Sequence, residues 1–152
     1  LDLLFVCTGN TCRSPMAEAI ARHLDAQAGG NLVFGSAGIA ARDGMPASPG
    51  ARRAMERIGI SLEHHQARQL SAGLLARASL VLTMSDGHRD WIVSRFPHWA
   101  DKTRTLGEYA GAHGRDVPDP FGGDDEVYEQ CAGEIRQLVE KILLRIREEN
   151  GL

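Results

Sequence analysis

The sequence predicts a single α/β domain: a short parallel sheet of about four strands, doubly wound, with helices on both faces. Three observations carry this. Four apolar runs have strand length, stretches of helical periodicity alternate with them, and 152 residues is about the size of one domain. Strands that alternate with helices favour a parallel sheet buried on both sides.

The first run, residues 3–7 (Leu-Leu-Phe-Val-Cys), is apolar throughout, as a strand covered on both faces should be. A helix over 15–28 follows, because Met16, Ala17, Ile20, Ala21 and Leu24 fall on one face at helical spacing. Residues 32–36 read as the second strand. Ser48-Pro49 then reads as an N-cap with proline at the first helical position, and Gly59 as that helix's stop. Further helices are expected at 71–78 and 86–95, on either side of a third strand at 80–84, and a fourth strand at 104–106. The last helix, 124–149, carries a stripe of Val127, Cys131, Ile135, Leu138, Val139, Ile142 and Ile146. Between 106 and 124 no periodicity is visible. A stretch of that length between core elements points to a functional loop. No repeat or linker divides residues 1–152.

The net charge of −3 leaves no global positive field, which argues against nucleic acid as a partner. No apolar run approaches membrane-spanning length, and Leu1 to Val6 has the wrong charge for a signal peptide. Three cysteines, Cys7, Cys12 and Cys131, make an odd set without extracellular spacing, so a reducing cytoplasm is expected. The default expectation is a monomer.

The exit of the first strand concentrates the chemistry. Cys7-Thr8-Gly9-Asn10-Thr11-Cys12-Arg13-Ser14-Pro15 connects it directly to a helix. The unpaired N–H groups and the positive dipole end at a helix N-terminus favour an anion. Gly9 and Asn10 are the residues best able to take left-handed backbone angles and turn amides inward. Ser14 reads as the N-cap and Pro15 as the first helical residue. Arg13 offers a planar, permanently charged fork to a tetrahedral oxyanion. A thiolate is the nucleophilic form of cysteine, and such donors stabilise it. A lone Cys7 would read as the end of a buried strand; with the rest of the loop in register it reads as the nucleophile of phosphoryl transfer.

This run, Cys7, five residues, Arg13 and Ser14, resembles the signature of the low-molecular-weight protein tyrosine phosphatases. The likeness extends to Ser36-Ala37-Gly38, to 80–84 and to Asp119-Pro120-Phe121. The resemblance implies that Cys7 is the nucleophile and that Arg13 binds phosphate. Residues Thr8, Gly9, Asn10, Thr11, Cys12 and Ser14 complete the phosphate cradle. Ser14 would donate to the thiolate, and Asn10 would hold the loop's shape with support from Ser36. The plainer readings are a turn residue for Asn10 and a strand-end polar group for Ser36.

The leaving group must be protonated as it departs, so a carboxylic acid has to reach the cradle. Asp116 and Asp119 are available. Asp119 lies between Pro118 and Pro120, which restrict its backbone, and it matches the family's acid; Asp116 reads as a turn residue. Phe121 either stacks on a flat substrate group or plugs the core beneath the loop.

Thr11 departs from the tyrosine-directed members, which resemble this loop but usually carry Ile or Leu there. Members with Thr resemble bacterial protein arginine phosphatases, so phosphoarginine in proteins is the expected substrate and phosphotyrosine the alternative. Otherwise Thr11 is a neutral substitution. A class of arsenate reductases is also similar, but it needs further cysteines after the third strand, and 85–96 has none. A non-catalytic phosphoprotein-binding module would be expected to lack Cys7 or Asp119. Cys12 either forms a reversible, protective disulfide with Cys7, as the resemblance implies, or is a small buried loop residue.

No cofactor or metal is expected. His23, His64, His65, His88, His98 and His113 show no i, i+4 ligand spacing, and all read as solvated surface residues. Trp91 and Trp99 read as packing or partner contacts.

Overall fold

The computed structural model describes residues 1–151. Its sheet has four parallel strands in the order β2-β1-β3-β4, built from β1 (Leu3–Cys7), β2 (Phe34–Gly38), β3 (Leu80–Thr83) and β4 (Thr103–Thr105). The helices are α1 (Arg13–Gln27), α2 (Pro49–Glu56), α3 (Ala72–Arg77), α4 (Asp86–Arg95), α5 (Leu106–Tyr109) and α6 (Asp125–Glu149), with a 3-10 segment at Pro97–Lys102. The α/β class and parallel sheet agree with the sequence. No described helix is long and apolar enough to cross a membrane.

The alternation along β1 explains why its run is uniformly apolar. Leu3, Phe5 and Cys7 enter the core shared with α1, α2 and α6, while Leu4 and Val6 enter the one shared with α3 and α4. Both faces are therefore dry. Ser48, Ser71, Ser85 and Asp124 each accept a backbone N–H at the start of α2, α3, α4 and α6.

Several boundaries differ from the expectation. β2 begins and ends two residues later, because its pairing with β1 runs from Leu3↔Phe34 to Cys7↔Gly38; register outweighs the poor strand propensity of Gly35, Ser36 and Gly38. β4 closes at Thr105, whose side chain joins Glu108 in a capping box and turns Leu106 into the first residue of α5. The loop expected over 106–124 is shortened accordingly. Along α6 the stripe holds from Cys131 to Ile146, but Val127 is 40% exposed, since the first turn overhangs the edge of the core.

Candidate active site

The carboxyl end of β1 opens into a cavity of about 280 Å³ lined by Cys7, Thr8, Gly9, Thr11, Cys12, Arg13, Asp119 and Phe121. Ligands in open α/β sheets bind at this edge. All three proposed catalytic residues line it, together with both residues that the sequence linked to specificity.

Asn10 sets the shape of the loop from behind. Its φ of 57° is the only left-handed value at a non-glycine residue among those described, and Gly9 does not share it. The Asn10 side chain donates from Nδ2 to Ser14 Oγ at 2.8 Å and to Ser36 Oγ at 3.0 Å, and its Oδ1 accepts from Arg68 N at 2.9 Å. His65 Nε2 lies 2.7 Å from the Asn10 carbonyl oxygen. Ser36 in turn donates to Glu18 Oε1 at 2.6 Å. Ser36 thus lies between Asn10 and Glu18.

Ser14 is not an N-cap. The helix starts two residues earlier than expected, at Arg13, and Cys12 occupies the cap position without a side-chain bond. The Ser14 hydroxyl is instead committed to the loop: it accepts from Asn10 and lies 2.9 Å from Cys7 Sγ. With Asn10 donating to it, the Ser14 hydroxyl has two acceptors for its own hydrogen, the Ala37 carbonyl at 3.5 Å and the Cys7 sulfur at 2.9 Å; a thiolate is the stronger acceptor and is stabilised by that donor.

Arg13 is buried and joins the loop to the late segment. Its Nη1 donates to the Val117 carbonyl at 3.0 Å, and its Nη2 lies 3.7 Å from Asp119 Oδ2. Asp119 Oδ1 accepts from Phe121 N at 3.1 Å, a local turn that stands the carboxylate at the cavity's edge. Phe121 is 79% exposed, so it is no core plug. Asp116 Oδ1 accepts from Asp86 N, which ties the late loop to the first residue of α4.

Two histidines depart from the solvated reading. His65 touches the loop, and His88 is buried with its Nε2 2.9 Å from Thr8 Oγ1 and its Nδ1 2.9 Å from Ser85 Oγ. Burial, reinforced by the Arg13 charge, pushes the His88 pKa down to about 4, so its imidazole is neutral near neutral pH. Glu18, His65, Arg68 and His88 escape a sequence reading because they come from three separate segments and share no spacing with Cys7.

Cys12 Sγ lies 3.1 Å from Ser48 Oγ and 3.7 Å from the Tyr128 hydroxyl. All three cysteines are free. Cys131 is buried beneath the late loop, with burial pushing its thiol up to about 12, unsuited to passing a disulfide onward. Trp91 and Trp99 pack around Phe96 on the α4 side.

Residues 2–151 match the family described as low molecular weight phosphotyrosine protein phosphatase. A protein-arginine-phosphatase of Bacillus subtilis (strain 168) is 40% identical over 150 residues, 98% of this chain and 99% of the relative. The low molecular weight protein-tyrosine-phosphatase Ptp of Acinetobacter johnsonii is 38% identical over 131 residues, 86% and 87% of the two chains. Among solved structures, a mutant of the YwlE arginine phosphatase with a phosphorylated active site serine superposes with a TM-score of 0.94 at 38% identity, covering 97% of this chain and 96% of that one. Sequence match, fold and the thiol-lined cavity agree: the chain belongs to the low molecular weight phosphotyrosine protein phosphatase family and is a cysteine-dependent phosphatase.

Proposed function

We propose that the chain hydrolyses phosphoarginine in proteins through a phosphocysteine on Cys7. The observation that carries the chemistry is the Ser14 hydroxyl 2.9 Å from the sulfur of Cys7, a residue that lines the same cavity as Arg13 and Asp119. Cys7 thiolate attacks phosphorus; the S–P bond forms as the P–N bond breaks, and Asp119 gives its proton to the departing guanidine nitrogen. Water then attacks phosphorus, Asp119 takes its proton, and the S–P bond breaks to release phosphate and restore the thiolate. Arg13 and the amides from Thr8 to Arg13 hold the three equatorial oxygens through both steps. Ser14 supports the sulfur anion when it is the leaving group.

The arginine preference rests on Thr11. Its side chain lines the cavity, where a hydroxyl suits a guanidinium better than an aromatic ring, and Asp119 can pair with the same cation. Relatives named protein-arginine-phosphatase support it. The phosphotyrosine alternative is favoured by one feature, the exposed Phe121 ring at the cavity, ready to stack on a flat side chain. In this reading Cys12 is the redox partner: peroxide converts Cys7 to a sulfenic acid, and Cys12 condenses with it to a disulfide and water. Three free thiols fit a reducing compartment such as the cytoplasm.

Steady-state rates on phosphoarginine and phosphotyrosine peptides, for the parent and Thr11→Ile, test the preference. The parent should favour phosphoarginine in kcat/KM by at least about tenfold, the scale of one lost polar contact, and Thr11→Ile should reverse the order. A parent that prefers phosphotyrosine contradicts the arginine reading.

A further inference from the structure

Thr8 lines the catalytic cavity, yet its side-chain oxygen is held from outside the loop by His88, eighty residues away. His88 is itself gripped at its other nitrogen. Ser85 Oγ lies 2.9 Å from Nδ1 and already accepts the His88 backbone N–H at 3.2 Å as the cap of α4. The three groups form a line from the helix cap to the cavity, and the direction of its hydrogen bonds decides what the cavity meets.

Two directions are open to a neutral imidazole. In one, Thr8 donates to Nε2, Nδ1–H donates to Ser85, and a Thr8 lone pair faces the cavity. Ser85 Oγ then takes two donors, and its own hydrogen has no acceptor recorded among the described residues. In the other, the Ser85 hydroxyl donates to Nδ1, Nε2–H donates to Thr8 Oγ1, and the Thr8 hydrogen is left for the cavity. This direction uses every group of the line once. It is also the direction that a phosphoryl dianion selects, because a lone pair turned toward that charge repels it and an O–H attracts it.

We infer that His88 is a positioning residue: its Nε2–H holds Thr8 so that the Thr8 hydroxyl donates a hydrogen bond to the phosphoryl group in the cavity. The burial that keeps His88 neutral serves the same arrangement, since a neutral ring has a single N–H to place and Ser85 decides where it goes. Thr8 thus adds a side-chain donor to the backbone amides and Arg13, and α4 becomes part of the cradle's support although none of its residues lines the cavity. The inference rests on the phosphoryl-transfer reading of the cavity and extends it.

The test is a double-mutant cycle on p-nitrophenyl phosphate, which reports on the cradle whichever amino acid carries the natural phosphate, with vanadate inhibition measured alongside. Thr8→Val and His88→Leu should each lower kcat/KM and weaken vanadate by about tenfold, the scale of one hydrogen bond to a charged group. The double variant should be no worse than either single one, and His88→Gln, which keeps an N–H donor, should recover part of the loss. A His88→Leu enzyme with parental kcat/KM and vanadate affinity overturns the inference. So does a His88→Leu penalty that persists undiminished in the Thr8→Val background. Should His88→Leu fold poorly, nitrogen NMR of the unmutated protein decides: His88 must appear as the Nε2–H tautomer, and an Nδ1–H tautomer overturns the inference. Failure of the underlying reading looks different, because Cys7→Ala would then retain activity.

Discussion

At Asn10 the backbone takes a left-handed angle that costs an ordinary residue about 1–3 kcal/mol. Three side-chain hydrogen bonds, to Ser14, Ser36 and Arg68, offset that cost at roughly 1 kcal/mol each. Strain and its compensation occupy the same residue, so the loop is held in one shape before any phosphate arrives. His88 has the opposite character, a titratable group kept uncharged by burial. Its folded pKa of about 4 lies below the ordinary value of 6.5. Between those values the unfolded chain binds the proton and the native state does not, so acidification through this window destabilises the fold. Arg13 strengthens the depression, while Asp116 and Asp119 oppose it. Thermal melting from pH 7 to pH 4 should therefore show the parent losing stability relative to His88→Gln; parallel curves for the two proteins would contradict this. That Cys7, Arg13 and Asp119 are candidates for one site was legible in the sequence because each stands in a short local pattern, whereas the left-handed angle was narrowed only to Gly9 and Asn10, of which Asn10 takes it. His88 and His65 were not, because a histidine's burial is decided by what packs over it, which no spacing records.

Among the elements, β2 matters to the loop more than its length suggests. A Cβ at Gly38, the last residue of β2, would press against the Thr8 carbonyl oxygen and come within 2.9 Å of the Asn10 nitrogen. Both are loop backbone and cannot give way without moving the cradle. Gly38→Ala should therefore cost about 1–3 kcal/mol of stability by overpacking and lower kcat/KM. Gly133→Ala is the control: nothing lies within 4 Å of its Cβ, on the exposed side of α6, so it should stabilise by about 0.5–1 kcal/mol without loss of rate. Melting temperatures and steady-state rates check both, and a fully active Gly38→Ala would show that the loop tolerates displacement. Apolar periodicity revealed α1 and α6 to within two residues. It could not reveal α5, four residues long and made by a capping box, nor the true end of β2, where two glycines and a serine form a strand only because β1 pairs with them.

Over the whole molecule, the strand order leaves the carboxyl end of β1 between neighbours reached by connections on either side, where a doubly wound sheet opens its crevice. The late segment is brought to that crevice through the backbone of Val117, whose N–H donates to Met84 O at 2.9 Å and whose carbonyl accepts from Arg13. The clamp holds the segment two residues before Asp119, so the acid and the nucleophile, 112 positions apart in the chain, line one cavity. Their convergence rests on sheet topology rather than on local sequence. Intact-mass analysis of Asp119→Asn, acid-quenched during turnover of p-nitrophenyl phosphate, measures the outcome directly. That leaving group needs little protonation, whereas hydrolysis of the intermediate still needs the missing base. A phosphoryl group should accumulate on the Cys7 peptide and be absent from the Cys7→Ala, Asp119→Asn double variant. Continued turnover with Cys7 unmodified, or parental rates from Cys7→Ala alone, would contradict a covalent mechanism at this thiol.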